Sequence, residues 1–361
     1  MSDPRLPFAT LVFPAVTQTA VDYLLAARQR GEKVVCAASV ANDEIATEWG
    51  PLHRIPSIYD ADFARQFNDL VASNSVGRIF CPVTSVFDFM RRHIVDAKLR
   101  VELIGDSPIK QQMQQHRQLL ARAKRMNAAV KQISGDASPL SLLEIAGILR
   151  QASLIYGESN EDKLGALMSV FCSAPKGDVI EIGSLMGRSA FVLLYLAWRF
   201  RIGPVLSVDP WQANEAVQHQ SPKDFQSLVD EWDFEVLSEG FEINMTPFRR
   251  DDHAHLRVTS AQGYQRYLDA EPICSQFGTP IAYLKNISVI HIDGNHDFEA
   301  VKNDCELWLT KLTPKSWLIL DDYIWAHGDG PYRVGNELLT TQCAKIERAF
   351  VCGKALFIQF K

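Results

Sequence analysis

The sequence predicts an α/β protein built from two Rossmann-like units, a smaller one over residues 1–106 and a larger one over 176–361 that ends in an antiparallel hairpin. Three observations carry this reading. Strand-length apolar runs alternate with amphipathic helical stretches through the first hundred residues. The same alternation resumes after Lys176. The last two apolar runs, 349–352 and 355–360, flank Gly353-Lys354, a pair suited to a tight turn between neighbouring strands. A chain of 361 residues is also long enough for two separate cores.

In the first unit, residues 8–15 (FATLVFPA) read as a buried strand and 17–30 as an amphipathic helix ended by Gly31. Strands at 33–39, 52–58, 78–81 and 100–104 follow, with a helix over 60–72 between them. This stretch has neither Gly-x-Gly-x-x-Gly nor Gly-x-x-x-x-Gly-Lys-Ser/Thr, so no motif cradles a phosphate and a structural or substrate-presenting role is expected. A polar helix over 108–133 lies between Pro108 and the Ser134-Gly135-Asp136 turn. With amphipathic helices over 140–156 and 162–172 it forms a helical connector, 107–175. The second unit then reads as strands at 178–182, 205–208, 256–259, 288–292 and 317–320, with helices over 187–201, 298–311 and 336–347.

Composition excludes several classes. The net charge of −6 disfavours a grip on long nucleic acid, which rests on neutralising phosphates. The basic stretch from Lys110 to Lys131 reads as a solvated helix face. No apolar run reaches the 18 or so residues of a membrane span and no secretory leader pattern opens the chain, so a cytoplasmic protein is expected. Seven scattered cysteines, an odd number without a Cys-x-x-Cys pair, argue against disulfides and zinc and read as small buried hydrophobes. Homo-oligomerisation stays open.

The strand 178–182 (DVIEI) runs into Gly183-Ser184-Leu185-Met186-Gly187-Arg188-Ser189, which opens a helix. Gly183 permits the sharp turn, and Gly187 is expected to let the backbone approach a ligand at the positive end of the helix. A dinucleotide loop would carry a middle glycine for a pyrophosphate. Here Glu181 precedes the loop, and a carboxylate suits a ligand with an ammonium group, such as the methionine end of S-adenosylmethionine. Ser184 and Ser189 join the expected donor site. The next strand ends at Asp209, placed to accept from two ribose hydroxyls. Ser260 and Ala261, after the third strand, are expected beside the adenine.

Two further strand ends are acidic: His291-Ile292-Asp293-Gly294-Asn295-His296-Asp297 and Leu320-Asp321-Asp322-Tyr323. Ligands bind outside the carboxyl ends of parallel strands, so Asp293, Asp321 and Asp322 are expected to crowd one edge. At about 4 Å and an effective dielectric of about 20, each like pair costs on the order of 4 kcal/mol. Such a cluster traps protons or holds a cation, and an all-oxygen set favours magnesium, manganese or calcium. Asp293 also borders the expected donor site. His296 is placed to act as a general base near neutral pH. His253-x-His255 reads as a loop pair without a third metal partner, and His291 as core.

The segments VIEIGSLMGRS, LSVDP, VIHIDGNHDFEAVKNDCELWLTKLTP and WLILDDY resemble the macrocin O-methyltransferase-like group of class I methyltransferases, which tailor sugars of macrolide and aminocoumarin antibiotics and are related to the cephalosporin hydroxylase-like proteins. The resemblance covers roughly 176–335. It implies that Glu181, Gly183 and Gly187 meet the methionine part of S-adenosylmethionine and that Asp209 meets its ribose. It further implies that Asp293, Asp321 and Asp322 hold the metal, magnesium in the first instance, and that His296 is the base. In other members the base is an aspartate one residue earlier, where this chain has Asn295, which cannot act as a base. Pro314-Lys315-Ser316 replaces the usual glycine pair, and residues 211–250 match nothing in the group. Trp211, Trp232 and Phe241 of that segment read as packing residues.

The expected activity is therefore metal-assisted methyl transfer to a hydroxyl of a sugar or glycosylated small molecule, with no membrane or nucleic-acid partner. Two other readings stay open at this point. One is a non-catalytic binding or regulatory protein on the same fold. The other is a two-domain enzyme that activates its substrate with a nucleotide.

Overall fold

Side chains alternate across β1 (Ala9–Val12): Leu11 joins a core with Val35, Phe63, Phe67 and Met90, while Val12 joins another with Ala20, Leu24 and Cys36. A strand buried on both faces requires cover on both, which the crossover helices of a parallel sheet provide. The structure is a computed structural model that describes residues 8–135, 140–223, 227 and 229–361. Residues 1–7 of the first predicted unit and Asp136 of the predicted turn lie outside the described residues. The chain divides into two compact units, one ending at Gln118 and one beginning at Leu119.

The first unit runs β1, α1 (Gln18–Gln29), β2 (Val34–Ala38), α2 (Asp43–Trp49), β3 (Leu52–Arg54), α3 (Phe63–Ser73), β4 (Val76–Phe80), α4 (Thr84–Asp96) and β5 (Glu102–Leu103). Its sheet is parallel in the order β3-β2-β1-β4-β5. Sequence reading misses α2 and α4. In α4 the apolar Val86, Phe87 and Met90 are buried, but Arg91-Arg92-His93 interrupts the pattern that would announce a helix.

Helix α5 (Pro108–Ser134) crosses from the first unit into the second. With α6 (Leu142–Leu154) and α7 (Glu161–Phe171), its later turns are not a spacer. Met126, Val130, Ile145, Leu149, Leu167 and Phe171 share one core with Val179 and Trp317 of the sheet and with Phe191. The sequence of 107–175 shows amphipathic stripes but not the partner that buries them.

The second unit continues with β6 (Asp178–Ile182), α8 (Arg188–Arg199), β7 (Val205–Val208), α9 (Ala213–Ala216), α10 (Phe234–Met245), β8 (His253–Leu256), α11 (Ser260–Leu268), the short pair β9 (Ile273–Cys274) and β10 (Pro280–Ile281), β11 (Ile287–Ile292), α12 (Phe298–Trp308), β12 (Leu312–Leu320), α13 (Gly330–Thr341), β13 (Ile346–Cys352) and β14 (Ala355–Phe360). The main sheet is ordered β13-β14-β12-β11-β6-β7-β8. Strands β12, β11, β6, β7 and β8 pair in parallel in that order, and β14 runs antiparallel to both β12 and β13. The architecture is thus Rossmann-like with the expected terminal hairpin.

Among the boundaries that differ from the sequence reading, two change the placement of residues singled out there or of a whole helix start. The strand expected at 256–259 is His253–Leu256, so His253 and His255 lie in β8 rather than in a loop. Both ring nitrogens of His253 are buried without a hydrogen-bond partner, and burial, with His255 and Arg249 nearby, pushes its pKa down to about 3. His255 instead pairs with Glu242 at 2.9 Å. The helix expected at 336–347 begins earlier, at Gly330, with Pro331 in its first turn where no N–H partner is needed. The seven cysteines are free thiols, and only Cys36, Cys81 and Cys305 are buried. Among the described residues no helix is long and apolar enough to cross a membrane.

Candidate active site

In the parallel ladder Ile182 lies opposite both Val208 and Ile292, and Ile292 opposite Leu320. The hydrogen bonding extends one residue further. Gly183 N–H donates to Val208 O, Asp293 N–H to Ile182 O and Asp321 N–H to Ile292 O, at 2.7–2.9 Å. Gly183, Asp209, Asp293 and Asp321 therefore leave the sheet side by side.

Gly183 has φ +80, and a Cβ there would lie 2.1 Å from the carbonyl oxygen of Asp293. The glycine is required by contact between two strand ends. Gly187, at φ +92, caps α8, but a Cβ there would meet Phe241 at 3.1 Å and Met245 at 3.3 Å. Its freedom serves the packing of α10, and Gly187 is not among the residues lining the cavity described below.

Glu181 is also placed differently from its expected role. It is fully buried and does not line the cavity described below. Its carboxylate accepts from Ser184 Oγ at 2.8 Å and Ser207 Oγ at 3.3 Å, and lies 3.3 Å from His291 Nδ1. Inward-facing positions of β6 point under the loop, so Glu181 braces Ser184 from below. Asp209 accepts from the backbone N–H groups of Ser184 at 2.8 Å and Leu185 at 3.0 Å, and from that of Trp211 at 2.8 Å. Burial raises the Asp209 pKa, against those three donors. The Trp211 indole donates to Leu185 O at 2.9 Å, so the ends of β6 and β7 are tied twice. Leu185, Trp211 and Asp322 all hold positive φ, 48°, 43° and 49°, around the same opening.

The three acidic residues do not converge on one point as the sequence reading expects. Among the described residues, ligand atoms gather in two groups: His291, Asp293 and Asp321, and separately Asp293, His296 and Asp322. The ammonium of Lys163, from α7, lies against Asp321 Oδ2 and 3.3 Å from Asp293 Oδ2, with 1% of its side chain exposed. Lys354 Nζ, from the turn between β13 and β14, lies 2.7 Å from Asp322 Oδ1. Burial works against charge on Lys163, but Asp293 and Asp321 outweigh it and hold its pKa up. Burial and the neighbouring Asp321 push the Asp293 pKa up, whereas Lys163 overcomes burial at Asp321 and holds that carboxyl well below the usual range. His291, read as core, is fully buried yet forms the floor of this cluster.

His296 stands between the acidic residues and the opening. Nε2 is 3.6 Å from Asp293 Oδ1 and has no hydrogen-bond partner, while Nδ1 is 3.7 Å from Asp322 Oδ2 and 3.5 Å from Gln218 Nε2. Its ring packs edge-on to Trp325 with centroids 4.7 Å apart. Burial lowers the pKa of His296, but Asp293 and then Asp322 outweigh it, so the imidazole is more basic than usual.

These groups line one cavity of about 970 Å³. Ser184, Ser189, Asp209, Ser260 and Ala261 contribute to it, as do Asp293, His296 and Asp322. Asp304, not singled out in the sequence, also lines it; burial pushes this carboxyl up to about 6, with Ser260 opposing. Part of the segment 211–250 walls the cavity, although residues 224–226 and 228 lie outside the described residues. Trp211 and Phe241 are buried against each other, and Trp211 and the more exposed Trp232 both line the cavity. Asn295 Nδ2 donates to the carbonyls of Glu215 and Val217, both at 2.9 Å. Asp297 accepts from the N–H groups of His219 and Gln220 at 2.7 and 2.8 Å. The wall is thereby stapled on both sides of His296. Nothing in the local sequence announces these pairings, which join residues about eighty positions apart.

Residues 180–323 match the family profile described as "Methyltransferase domain". Among solved structures, the O-methyltransferase NovP is 14% identical over 66% of this chain and 99% of its own, with a TM-score of 0.38. The calicheamicin methyltransferase CalS11 is 14% identical over 71% and 94%, with a TM-score of 0.36. The MycE methyltransferase of the mycinamycin pathway, in complex with Mg and SAH, is 12% identical over 61% and 57%, with a TM-score of 0.36. No curated protein sequence matches the chain.

Proposed function

We propose that the class I methyltransferase domain matched over residues 180–323 moves the methyl group of S-adenosylmethionine onto a hydroxyl of a sugar or glycosylated small molecule. The observation that carries this reading is the placement of His296. His296 lines the same cavity that the glycine loop, Asp209 and Ser260 border. A donor held by those loops and an acceptor held beside His296 would meet within one enclosure. The resemblance of the IDGNH and DDY segments to sugar-tailoring O-methyltransferases supports an oxygen acceptor. Trp232 and Trp325 in the cavity wall suit the apolar face of a sugar ring.

In this reaction the acceptor oxygen attacks the sulfonium methyl group in line. The C–O bond forms as the C–S bond breaks, and the electron pair returns to sulfur. The acceptor proton passes to the imidazole of His296, whose raised basicity the flanking carboxylates supply. Asn295 and Asp297 fix the loop that carries this base, and Glu181 and Asp209 fix the loop that faces the donor. Alignment of two bound reactants contributes about 7–11 kcal/mol to such a displacement.

The residues present do not fit a divalent ion held by Asp293, Asp321 and Asp322, because ammonium groups already lie on all three.

The test is calorimetric titration of the full chain with S-adenosylmethionine, alongside Asp209→Ala. Saturable binding, weakened about tenfold or more in the variant, is expected from loss of a charged loop anchor. A folded protein that does not bind the donor overturns the reading. Binding then justifies a screen for labelled methyl transfer to hydroxylated sugars.

A further inference from the structure

The cation of the acidic strand ends is part of the chain. We propose that Lys163 is a resident counter-ion that replaces a divalent metal between Asp293 and Asp321, so that the site is assembled and stable without one. This rests on the methyltransferase reading for the purpose of the site but not for the chemistry of its charges.

Four observations support it. Lys163 Nζ contacts one oxygen of Asp321 and is 3.3 Å from one oxygen of Asp293, which is the bridging position a shared cation would take. Its side chain is 1% exposed, so it has no path to solvent if an ion displaces it. Its backbone is pinned. Asn160 caps α7 by accepting from Lys163 N–H at 3.0 Å, and the Gly353 turn packs so closely that a Cβ there would lie 2.4 Å from Lys163 N and 2.8 Å from its Cβ. The remaining charge is met as well, since Lys354 reaches Asp322 and His296 lies between Asp293 and Asp322. Three carboxylates thus face two ammonium groups and an imidazole. A divalent cation added here would leave a buried ammonium beside it, an arrangement that like-charge repulsion in a low-dielectric site penalises.

The experiment follows thermal unfolding and Mn²⁺ binding of the full chain, neither of which depends on methyl transfer. Wild-type protein is expected to melt at the same temperature in chelator and in millimolar magnesium, with no saturable Mn²⁺ signal by electron paramagnetic resonance. Lys163→Met keeps the volume and removes the charge. It is expected to melt lower in chelator and to gain magnesium-dependent stabilisation, as a vacated cation site binds the ion by mass action. Lys163→Met combined with Asp321→Asn removes both charges and is expected to melt near wild type in chelator, which keeps the test decisive where the single variant does not fold. A magnesium-dependent shift or saturable Mn²⁺ binding in wild type overturns the proposal. So does a Lys163→Met protein that behaves as wild type in both conditions, or a double variant that folds only with metal.

Discussion

The side-chain amide of Asn295 donates to the backbone carbonyl of Glu215 at 2.9 Å, tying the loop after β11 to the segment that walls the cavity. The same amide nitrogen donates to Val217 O, and the Asn295 carbonyl accepts from Asp297 N–H at 2.9 Å. Asn295→Ala strands these carbonyls at the rim. We expect a loss of about 1–3 kcal/mol and faster amide exchange across 215–220. Unchanged exchange there would show that the staple does not hold the wall.

His296 gives opposite pH trends for activity and stability. As a base it works only when neutral, so turnover should fall as pH drops through its raised pKa. Its protonated form is favoured by Asp293 and Asp322, so the stability it contributes is present below the ordinary histidine value and is lost as pH rises through the folded one. His296→Asn should lower kcat by about 10²–10⁴ and abolish the acidic limb of the kcat profile, while donor affinity stays within about threefold. A variant that retains the limb would remove His296 from the proton transfer.

Gly183→Ala tests the contact between strand ends. The new methyl would overlap the Asp293 carbonyl at 2.1 Å on a backbone with φ +80, so relief requires the sheet edge to move. A destabilisation of about 3 kcal/mol or more is expected by chemical denaturation, beyond the 1 kcal/mol or so of an ordinary Gly-to-Ala change at positive φ. A loss of only that smaller size would mean the strand ends yield easily.

Asp304 sets a stability window. Its carboxyl is pushed up from 3.8 to about 6 by burial, so the folded state holds a proton that the unfolded chain releases. Stability should therefore fall as pH rises from about 4 to about 6. Asp304→Asn removes this loss and should gain up to about 3 kcal/mol over wild type at pH 7, with the gap closing near pH 4. Parallel melting curves of the two proteins across this range would contradict the assignment.

The parts of the site legible in the sequence are those set within one strand and its following turn. DVIEIGS, LSVDP, IDGNH and LDDY each end a buried strand, and parallel register brings their ends level. Roles that depend on which way a side chain faces were less legible. Glu181 and Gly187 keep their places in the loop but serve its packing rather than the cavity. Lys163 was hidden for a different reason: in sequence it is an ordinary helix residue 130 positions from Asp293, and only the docking of α7 on the sheet reveals the pair. The fold followed the same rule. Strands with apolar runs were readable, whereas α4 and the core role of 119–171 depend on surfaces supplied by distant segments.

The Gly353 turn belongs to the hairpin that follows every other element of the site in chain order. During synthesis the nascent chain presents the glycine loop, the aspartates, His296 and Lys163 before that turn has emerged. Until it does, Lys163 lacks its cover and Asp322 lacks Lys354. Completion of the charge cluster thus waits on the hairpin, and a chain lacking it would carry the glycine loop and Asp293 without the partner of Asp322.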